Sequence, residues 1–311
     1  MSSQFPQKKS GAPLRLPRRL RPGDRVQVLA PASPVPAVAL RDGLAALRGL
    51  GLDVSLSGDL DAPNGYLAGS DRARADALNA AFGDPSVRGV FCARGGYGTL
   101  RLLPLLDTAA LRRDPKVVMG FSDITTLLAA LDQTVGLVTF HGPVVARLSL
   151  DPAERERWLQ LLFSDGPTEI GGGDTRILQS GAAKGPIIGG NLSVFCALLG
   201  TPFHPPVAGR ILFLEEVGES LYRIDRMVTQ LRLVGVLEQI VGLALGRFIG
   251  CGPVGDIEAL FLERLNRPTL PVLSGLPAGH GPVNHPFPLG LGAVMETQQR
   301  SIRFPEPATV P

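Results

Sequence analysis

Short apolar segments of two kinds alternate along the first half of the chain. Residues 25–30 and 89–93 are short, apolar and bounded by turn residues, which predicts buried strands. Residues 38–49 and 72–82 instead carry apolar side chains at helical spacing, and Ser70 precedes the second of these segments as an N-cap. Because a helix separates successive strands, the strands are expected to pair in parallel in an open, doubly wound α/β sheet.

The same pattern continues further along the chain with more glycine. We predict strands at 52–56, 116–121, 210–214, 240–246 and 272–274, and helices at 99–106, 124–131, 193–199 and 222–234. The stretch from 166 to 185 is rich in glycine and has little helical pattern, which indicates an inter-domain connection or a mobile strand. Residues 279–292 form a Gly/Pro-rich segment that we interpret as a loop.

Composition narrows the class of protein. A chain of 311 residues with 44% hydrophobic residues is long enough for two domains with a large core. The net charge of +3 is too balanced to predict nucleic-acid binding, and no apolar run is long enough to predict a membrane-spanning helix. The three cysteines form no CxxC pair and there is no HExxH motif, so we expect no disulfide framework, metal site or cofactor.

The first 21 residues are basic and contain prolines but no acid. They lack the apolar core of about 7–15 residues that a signal peptide needs. We therefore expect a disordered basic extension on a cytoplasmic protein.

Ser122 is the first candidate for chemistry, since it lies between a predicted apolar strand and a predicted helix. A serine in this place commonly caps the helix. The strand-to-helix corner is also the geometry that exposes a nucleophile above a sheet, and the backbone N–H of Asp123 could serve a developing oxyanion. The surrounding residues do not match GxSxG, which argues against the common α/β-hydrolase elbow.

The glycine turn at 94–98 follows another predicted strand, so it is expected at the same edge of the sheet. Three interpretations are open: a plain tight turn, a phosphate-binding loop, or half of an oxyanion hole.

The general base for a serine is expected to be one of the four histidines or a lysine. His141 and His204 are flanked by turn formers and are interpreted as structural, whereas His280 lies in a flexible loop with His285 as a competitor. Glu215 and Glu216 close a predicted apolar strand. Because successive side chains of a strand point to opposite faces, at most one of these glutamates can orient the base.

Ten short segments together resemble the LD-carboxypeptidases (muramoyltetrapeptide carboxypeptidases), a family that also contains the microcin C immunity peptidases. The segments span about residues 20 to 300, and their number and order make the resemblance specific. They are LRPGDRV (20–26), APASP (30–34), YLAGSD (66–71), ARGGYG (93–98), GFSDIT (120–125), HGP (141–143), GGNL (189–192), FLEEVGE (213–219), YRIDR (222–226) and GH (279–280).

The resemblance implies a Ser–Glu–His hydrolase. By motif, Ser122 is the nucleophile, Glu215 the orienting acid and His280 the base, with backbone N–H groups of Gly96 and Asp123 as oxyanion donors. Candidate substrate-binding residues are Arg94, Asn191 and Arg223, and either arginine could hold the terminal carboxylate of a peptide.

Composition and the resemblance together predict the domain organisation. We expect the disordered extension over 1–20, an N-terminal nucleophile domain like that of class I glutamine amidotransferases over 21–165, a linker over 166–186, and a smaller, strand-rich C-terminal domain over 187–311.

Three functions compete at this point. The first is a cytoplasmic, homodimeric peptidase that removes the terminal D-alanine from murein tetrapeptides, at an L-to-D bond, during cell-wall peptide recycling, without nucleic-acid or membrane partners. The second is an immunity peptidase for a peptide–nucleotide antibiotic, which would need an aromatic side chain to stack on the base; the single tryptophan, Trp158, is expected between the domains. The third is a non-enzymatic α/β module that binds a phosphorylated ligand at 94–98.

Overall fold

The computed structural model of the chain describes residues 14–58, 60 and 63–311. The strands are β1 Arg25–Leu29, β2 Asp53–Leu56, β3 Val87–Cys92, β4 Val117–Gly120, β5 Thr139–His141, β6 Thr168–Gly171, β7 Arg176–Gln179, β8 Ala182–Asn191, β9 Ile211–Val217, β10 Gly242–Ile249, β11 Val272–Ser274, β12 Phe287–Leu289, β13 Gly292–Glu296 and β14 Ser301–Phe304. The α-helices are α1 Ala37–Gly49, α2 Asp71–Gly83, α3 Ala109–Arg113, α4 Thr125–Val135, α5 Pro152–Phe163, α6 Leu192–Cys196, α7 Leu221–Leu233, α8 Val236–Gln239 and α9 Val254–Leu265. Short 3-10 helices occupy Thr99–Leu105, Ser122–Ile124, Val145–Arg147 and Thr297–Gln299.

The first half of the chain supplies β1 to β5, which are five strands of a six-stranded sheet in the order β12-β5-β4-β3-β1-β2. Strands β1 to β5 pair in parallel, which confirms the expected doubly wound α/β sheet. Ser70 caps α2 as predicted, because its side chain accepts the backbone N–H of Ala73. The carboxyl ends of β3 and β4 therefore meet at one edge, where a ligand site is expected.

Strand β12 comes from the second half of the chain and completes the first sheet. It runs antiparallel to β5, with Phe287 opposite His141. Our interpretation of 279–292 as a loop is wrong for this part. Pro288 lacks a backbone N–H, and the sheet tolerates it because β12 is the edge strand.

The second sheet has eight strands in the order β6-β14-β13-β8-β9-β10-β11-β7. Strands β8 to β11 pair in parallel at its centre, and antiparallel strands flank them on both sides. The stretch 166–186, predicted as a connection or a mobile strand, supplies β6, β7 and the first part of β8. Because this stretch is rich in glycine, its sequence shows no alternation of apolar and polar side chains, which is the pattern that predicts a strand. The strands form nevertheless, because they pair through backbone groups.

One apolar cluster runs without interruption from the first sheet to the second. It contains Val90 and Phe140 on the first sheet and Ile187 and Phe213 on the second, all fully buried. Burial of apolar surface is the main stabilising contribution to folding, so this shared core keeps the two sheets packed against each other in a fixed orientation.

Residues 1–13, which carry most of the predicted basic extension, lie outside the described residues. Residues 14–20 are ordered, contrary to the predicted boundary at 20. The backbone N–H of Arg15 donates to Gly136 O, that of Leu20 donates to Leu162 O, and the Leu20 side chain is buried. In the described part of the chain, no helix is both long and apolar enough to cross a membrane.

Candidate active site

Ser122 lies at the corner between β4 and α4, as the sequence predicts. Its φ is +64°, a conformation that L-residues with a side chain adopt rarely and that is common at functional sites. The hydroxyl does not cap the helix: Phe121 occupies the N-cap position, and no side-chain cap bond forms. The corner therefore presents the hydroxyl outward, above the carboxyl edge of the first sheet.

The hydroxyl of Ser122 is the first group in a hydrogen-bonded chain of three side chains. Ser122 Oγ lies 3.0 Å from His280 Nε2, and His280 Nδ1 lies 2.7 Å from Glu215 Oε2. With its proton on Nδ1, the imidazole donates to Glu215 and accepts the serine hydroxyl proton at Nε2. This is the arrangement by which a histidine removes a proton from a serine nucleophile.

The two neighbouring glutamates are separated by strand geometry. Glu215 and Glu216 are consecutive residues of β9, and both are buried rather than solvated at a strand end. Glu215 faces His280, whereas Glu216 accepts hydrogen bonds from Asn191 Nδ2 and from the backbone N–H of Ser193, each at 2.8 Å. Burial raises the pKa of Glu216, because desolvation opposes the charged form.

The two residues predicted to donate to an oxyanion, Gly96 and Asp123, lie in two segments beside Ser122. Asp123 lies in the first turn of the helix, where backbone N–H groups have no intrahelical acceptor. Its own carboxylate is buried and accepts the backbone N–H of Thr99 at 2.9 Å, and the Thr99 hydroxyl also contacts it. Gly96 lies in the turn after β3 and lines the same cavity as Ser122.

A buried arginine of α2 contacts the glycine turn and holds it in place. Arg74 is almost fully buried, and its Nη1 donates to Pro31 O at 2.5 Å and to Gly98 O at 3.2 Å. Its Nη2 pairs with Asp71 at 2.5 Å. A buried charge needs such partners, so Arg74 fixes the position of the turn that carries Gly96.

A cavity of about 400 Å³ opens at Ser122 and His280. Most of its lining is apolar or glycine, and its charged residues are Arg94 and Arg147. No acidic side chain lines it, and neither arginine forms an ion pair with any residue that the structure describes. The cavity therefore suits a substrate that carries a carboxylate close to the scissile bond.

Sequence reasoning missed Arg147. Its position could have indicated a role, however, because Arg147 follows β5, and ligands bind beyond the carboxyl ends of parallel strands.

Two of the candidate substrate-binding residues do not line this cavity. Asn191 is buried and caps α6: its Oδ1 accepts the backbone N–H of Val194, and its Nδ2 donates to Glu216. Arg223 instead contacts Glu219 and Tyr222 at the start of α7. Of the three candidates, only Arg94 faces the cavity.

The competing histidines occupy other places. His285 Nε2 contacts Glu154 Oε1 of α5 at 2.8 Å. His204 packs against Phe195, and burial lowers its pKa.

His141 is fully buried beneath the site, stacked on Phe287 with ring centroids 5.0 Å apart. Burial lowers the pKa of His141 to about 4, against the weaker opposing effect of the Glu215 charge. It is therefore neutral at ordinary pH. This agrees with the prediction that His141 has a structural role.

Comparison with known proteins agrees with both the fold and the motifs. The family model described as the LD-carboxypeptidase N-terminal domain matches residues 26–142, and the model described as the C-terminal domain of that family matches residues 184–295.

Individual relatives cover nearly the whole chain. A protein of Bacillus subtilis named probable murein peptide carboxypeptidase is 38% identical over 297 residues, which are 92% of each chain. The murein tetrapeptide carboxypeptidase of Pseudomonas aeruginosa is 36% identical over 287 residues, or 88% of this chain and 93% of the relative. Among solved structures, MccF in complex with glutamyl sulfamoyl guanosine superposes with a TM-score of 0.87 at 23% identity, covering 96% of this chain and 100% of that chain. This last likeness shows the shared fold.

Proposed function

Because the chain belongs to the LD-carboxypeptidase family, and is therefore a peptidase, we propose that it uses Ser122 to remove the terminal D-alanine from murein tetrapeptides. The observation that carries the proposal is the hydrogen-bonded chain from Ser122 through His280 to Glu215. The names of the relatives in Bacillus subtilis and Pseudomonas aeruginosa support the murein peptide as substrate.

The first chemical step is acylation of the serine. His280 takes the proton of Ser122 Oγ at Nε2, and the oxygen attacks the carbonyl carbon between the L-centre of the diamino acid and the D-alanine. Glu215 stabilises the imidazolium through the bond at Nδ1 and holds the ring in the correct tautomer. The tetrahedral oxyanion accepts backbone N–H groups of Gly96 and Asp123, and such a donor typically contributes about 2.7–4 kcal/mol to lowering the barrier.

Collapse of the intermediate completes the reaction. The imidazolium gives its proton to the leaving amine, the C–N bond breaks, and D-alanine departs. A water molecule then loses a proton to His280 and attacks the acyl-enzyme, which releases the tripeptide and restores the Ser122 hydroxyl.

The cavity favours a peptide over a peptide–nucleotide. Trp158, which could have stacked on a base, is fully buried in α5 against Phe91, with ring centroids 5.8 Å apart. Phe121 lines the cavity, but its ring contacts His280 at 4.8 Å between centroids. The non-enzymatic alternative is wrong, because the chain belongs to a peptidase family.

A release assay tests the proposal. The full chain is incubated with L-Ala–D-Glu–diamino acid–D-Ala, with the pentapeptide that carries one more D-Ala, and with an all-L analogue. Release of D-alanine from the tetrapeptide, absent with the Ser122→Ala variant, is expected. No release, or equal cleavage of the all-L analogue, would overturn the proposal.

The family resemblance also leads us to propose a homodimer that acts in the cytoplasm. Sedimentation equilibrium tests the dimer, and fractionation of the producing cells tests the location.

A further inference from the structure

We propose that Arg147 binds the free carboxylate of the residue that is released and thereby makes the enzyme a carboxypeptidase. This inference rests on the proposed function, in which His280 protonates the leaving amine. Arg147 is then the cation by which the enzyme distinguishes a peptide with a free terminal carboxylate from a peptide that continues.

The position of the leaving residue follows from the position of the base. The amine nitrogen must come within about 3 Å of His280 Nε2 to receive the proton. The carboxylate carbon of the same residue lies two covalent bonds further, about 2.5 Å from that nitrogen. The cation that holds the carboxylate must therefore lie beside the imidazole.

Arg147 occupies this place. Its Nη2 lies 3.3 Å from His280 O and 3.4 Å from Gly281 O. Its guanidinium carbon lies 5.8 Å from the centre of the Phe121 ring, the same ring that packs against the imidazole. These contacts hold the guanidinium against the backbone of the His280 loop and the Phe121 ring, on the wall of the cavity that His280 also lines.

The guanidinium has both charge and donors to offer. The hydrogen bonds to the loop leave from Nη2, so the two N–H groups of Nη1 can still donate to a carboxylate in a charge-assisted hydrogen bond. Arg147 forms no ion pair among the described residues, and the cavity lining contains no acid. An arginine stays charged at all ordinary pH values.

Arg94 is the alternative cation, and its position is different. It belongs to the glycine turn that carries the oxyanion candidate Gly96, and its Nη1 is held by Pro34 O at 2.8 Å. Arg94 is thus placed on the side of the acyl group and its oxyanion, whereas Arg147 is placed on the side of the base.

The test compares two substrates in one enzyme preparation: the tetrapeptide with a free terminal carboxylate and the same peptide as its C-terminal amide. Wild-type kcat/KM is expected to favour the free acid by about 10- to 100-fold, the range for a charge-assisted hydrogen-bonded pair. Arg147→Met is expected to lower kcat/KM for the acid to that for the amide, with the amide changed less than about threefold. Arg147→Lys is expected to retain part of the preference.

The ratio of the two rates separates substrate binding from structural support. If Arg147 only tethered the His280 loop, Arg147→Met would slow both substrates equally and leave the ratio unchanged. A partly unfolded preparation would likewise leave the ratio unchanged, because the active fraction cancels. Arg94→Met should keep the ratio, and so should Arg113→Met, which replaces an exposed arginine of α3.

An unchanged ratio in Arg147→Met, or its loss in Arg94→Met, would overturn the inference while leaving the proposed function intact. Failure of the wild-type chain to release D-alanine from the free acid would instead overturn both.

Discussion

Gly279 lies directly against Glu215. A Cβ added to Gly279 would come within 2.5 Å of Glu215 Oε2 and 2.8 Å of Glu215 Cβ, and the glycine has a φ of +107°. This close approach lets one carboxylate oxygen accept both the backbone N–H of His280, at 3.1 Å, and its ring Nδ1, at 2.7 Å. The base and its orienting acid are therefore joined through backbone and side chain together.

Replacing Gly279 with alanine should displace this pair. We expect Gly279→Ala to lower kcat by at least about 100-fold, because a shift of about 1 Å at a catalytic group has that effect. Gly23→Ala is the matched control, since Gly23 has a φ of +92° and open space around the added methyl group. The control should be destabilised by about 1–2 kcal/mol and keep its kcat. Equal losses of activity in both variants would contradict the role of the Gly279–Glu215 contact.

Ser122→Ala should abolish peptide release without unfolding the protein. The hydroxyl caps no helix, so its removal eliminates a single hydrogen bond, worth about 1 kcal/mol. The kcat should fall by more than about 10⁴-fold, because the nucleophile is absent. Thermal unfolding and D-alanine release on the same sample give the two measurements. Retention of more than a few per cent of wild-type activity would show that Ser122 is not the nucleophile.

A glutamine substitution should lower the activity at Glu215 and the stability at Glu216. Glu215→Gln keeps the shape of the side chain but removes the charge that stabilises the imidazolium. We expect kcat to fall on the order of 10⁴-fold, by analogy with the aspartate-to-asparagine change in the trypsin-like triad. Thermal unfolding should change little, because the amide oxygen can still accept from His280.

Glu216→Gln should mainly lower stability. The carboxylate of Glu216 accepts N–H donors at both oxygens, from Asn191 and Val217 at one and from Ser193 at the other. A glutamine amide group must face one of these donors, which should cost about 1–3 kcal/mol of unfolding free energy. The kcat should stay within about tenfold of wild type. If Glu216→Gln instead lost activity and Glu215→Gln kept it, the orienting acid would be Glu216.

His141 should make stability fall as the pH is lowered. Its ordinary pKa is 6.5, and burial lowers it to about 4 in the folded protein. Between these pH values the unfolded chain binds more protons than the folded one, so the free energy of unfolding decreases from pH 6.5 to pH 4, by up to about 3 kcal/mol. Denaturant unfolding across this range measures the slope.

His141→Leu, an apolar change of similar volume among Phe121, Phe213 and Phe287, should make that slope shallower. The raised pKa of buried Glu216 acts in the opposite direction and is common to both proteins, so the difference between the slopes isolates His141. Identical slopes would show that His141 titrates normally in the folded state.

Local pattern was sufficient for four strands of the first sheet and for the residue types of the candidate site. The strand and helix periods of two and 3.6 residues are properties of neighbouring positions, so β1 to β4 and the Ser122 corner could be predicted from them, whereas the three-residue strand β5 was not predicted. The alternation of β9 likewise separates Glu215 from Glu216 without reference to any other segment. The motif resemblance then directed attention to Ser122, Glu215 and His280.

Position in space was needed wherever distant segments meet. His280 and His285 lie in one loop, and only the path of that loop places His280 at Ser122 and His285 at Glu154. Asn191, a polar residue after a glycine pair, could equally face a ligand or cap a helix. Gly190 decided its place, because its φ of +144° and missing side chain let β8 approach Thr125, whose hydroxyl accepts the backbone N–H of Asn191.

The sequence by itself determined strands β1 to β4 and β9 to β11, helices α1, α2, α4 and α7, and which residue types could perform acyl transfer, because these depend on local periodicity and on side-chain chemistry. Only the tertiary structure decided that Arg147 shares a cavity with His280 and that β12 joins the first sheet. Both depend on contacts between residues more than 100 positions apart, such as the hydrogen bond from Arg147 to His280, for which the sequence separation is 133. The energy of such a contact is realised only after the chain between its partners has folded, so no local pattern encodes it.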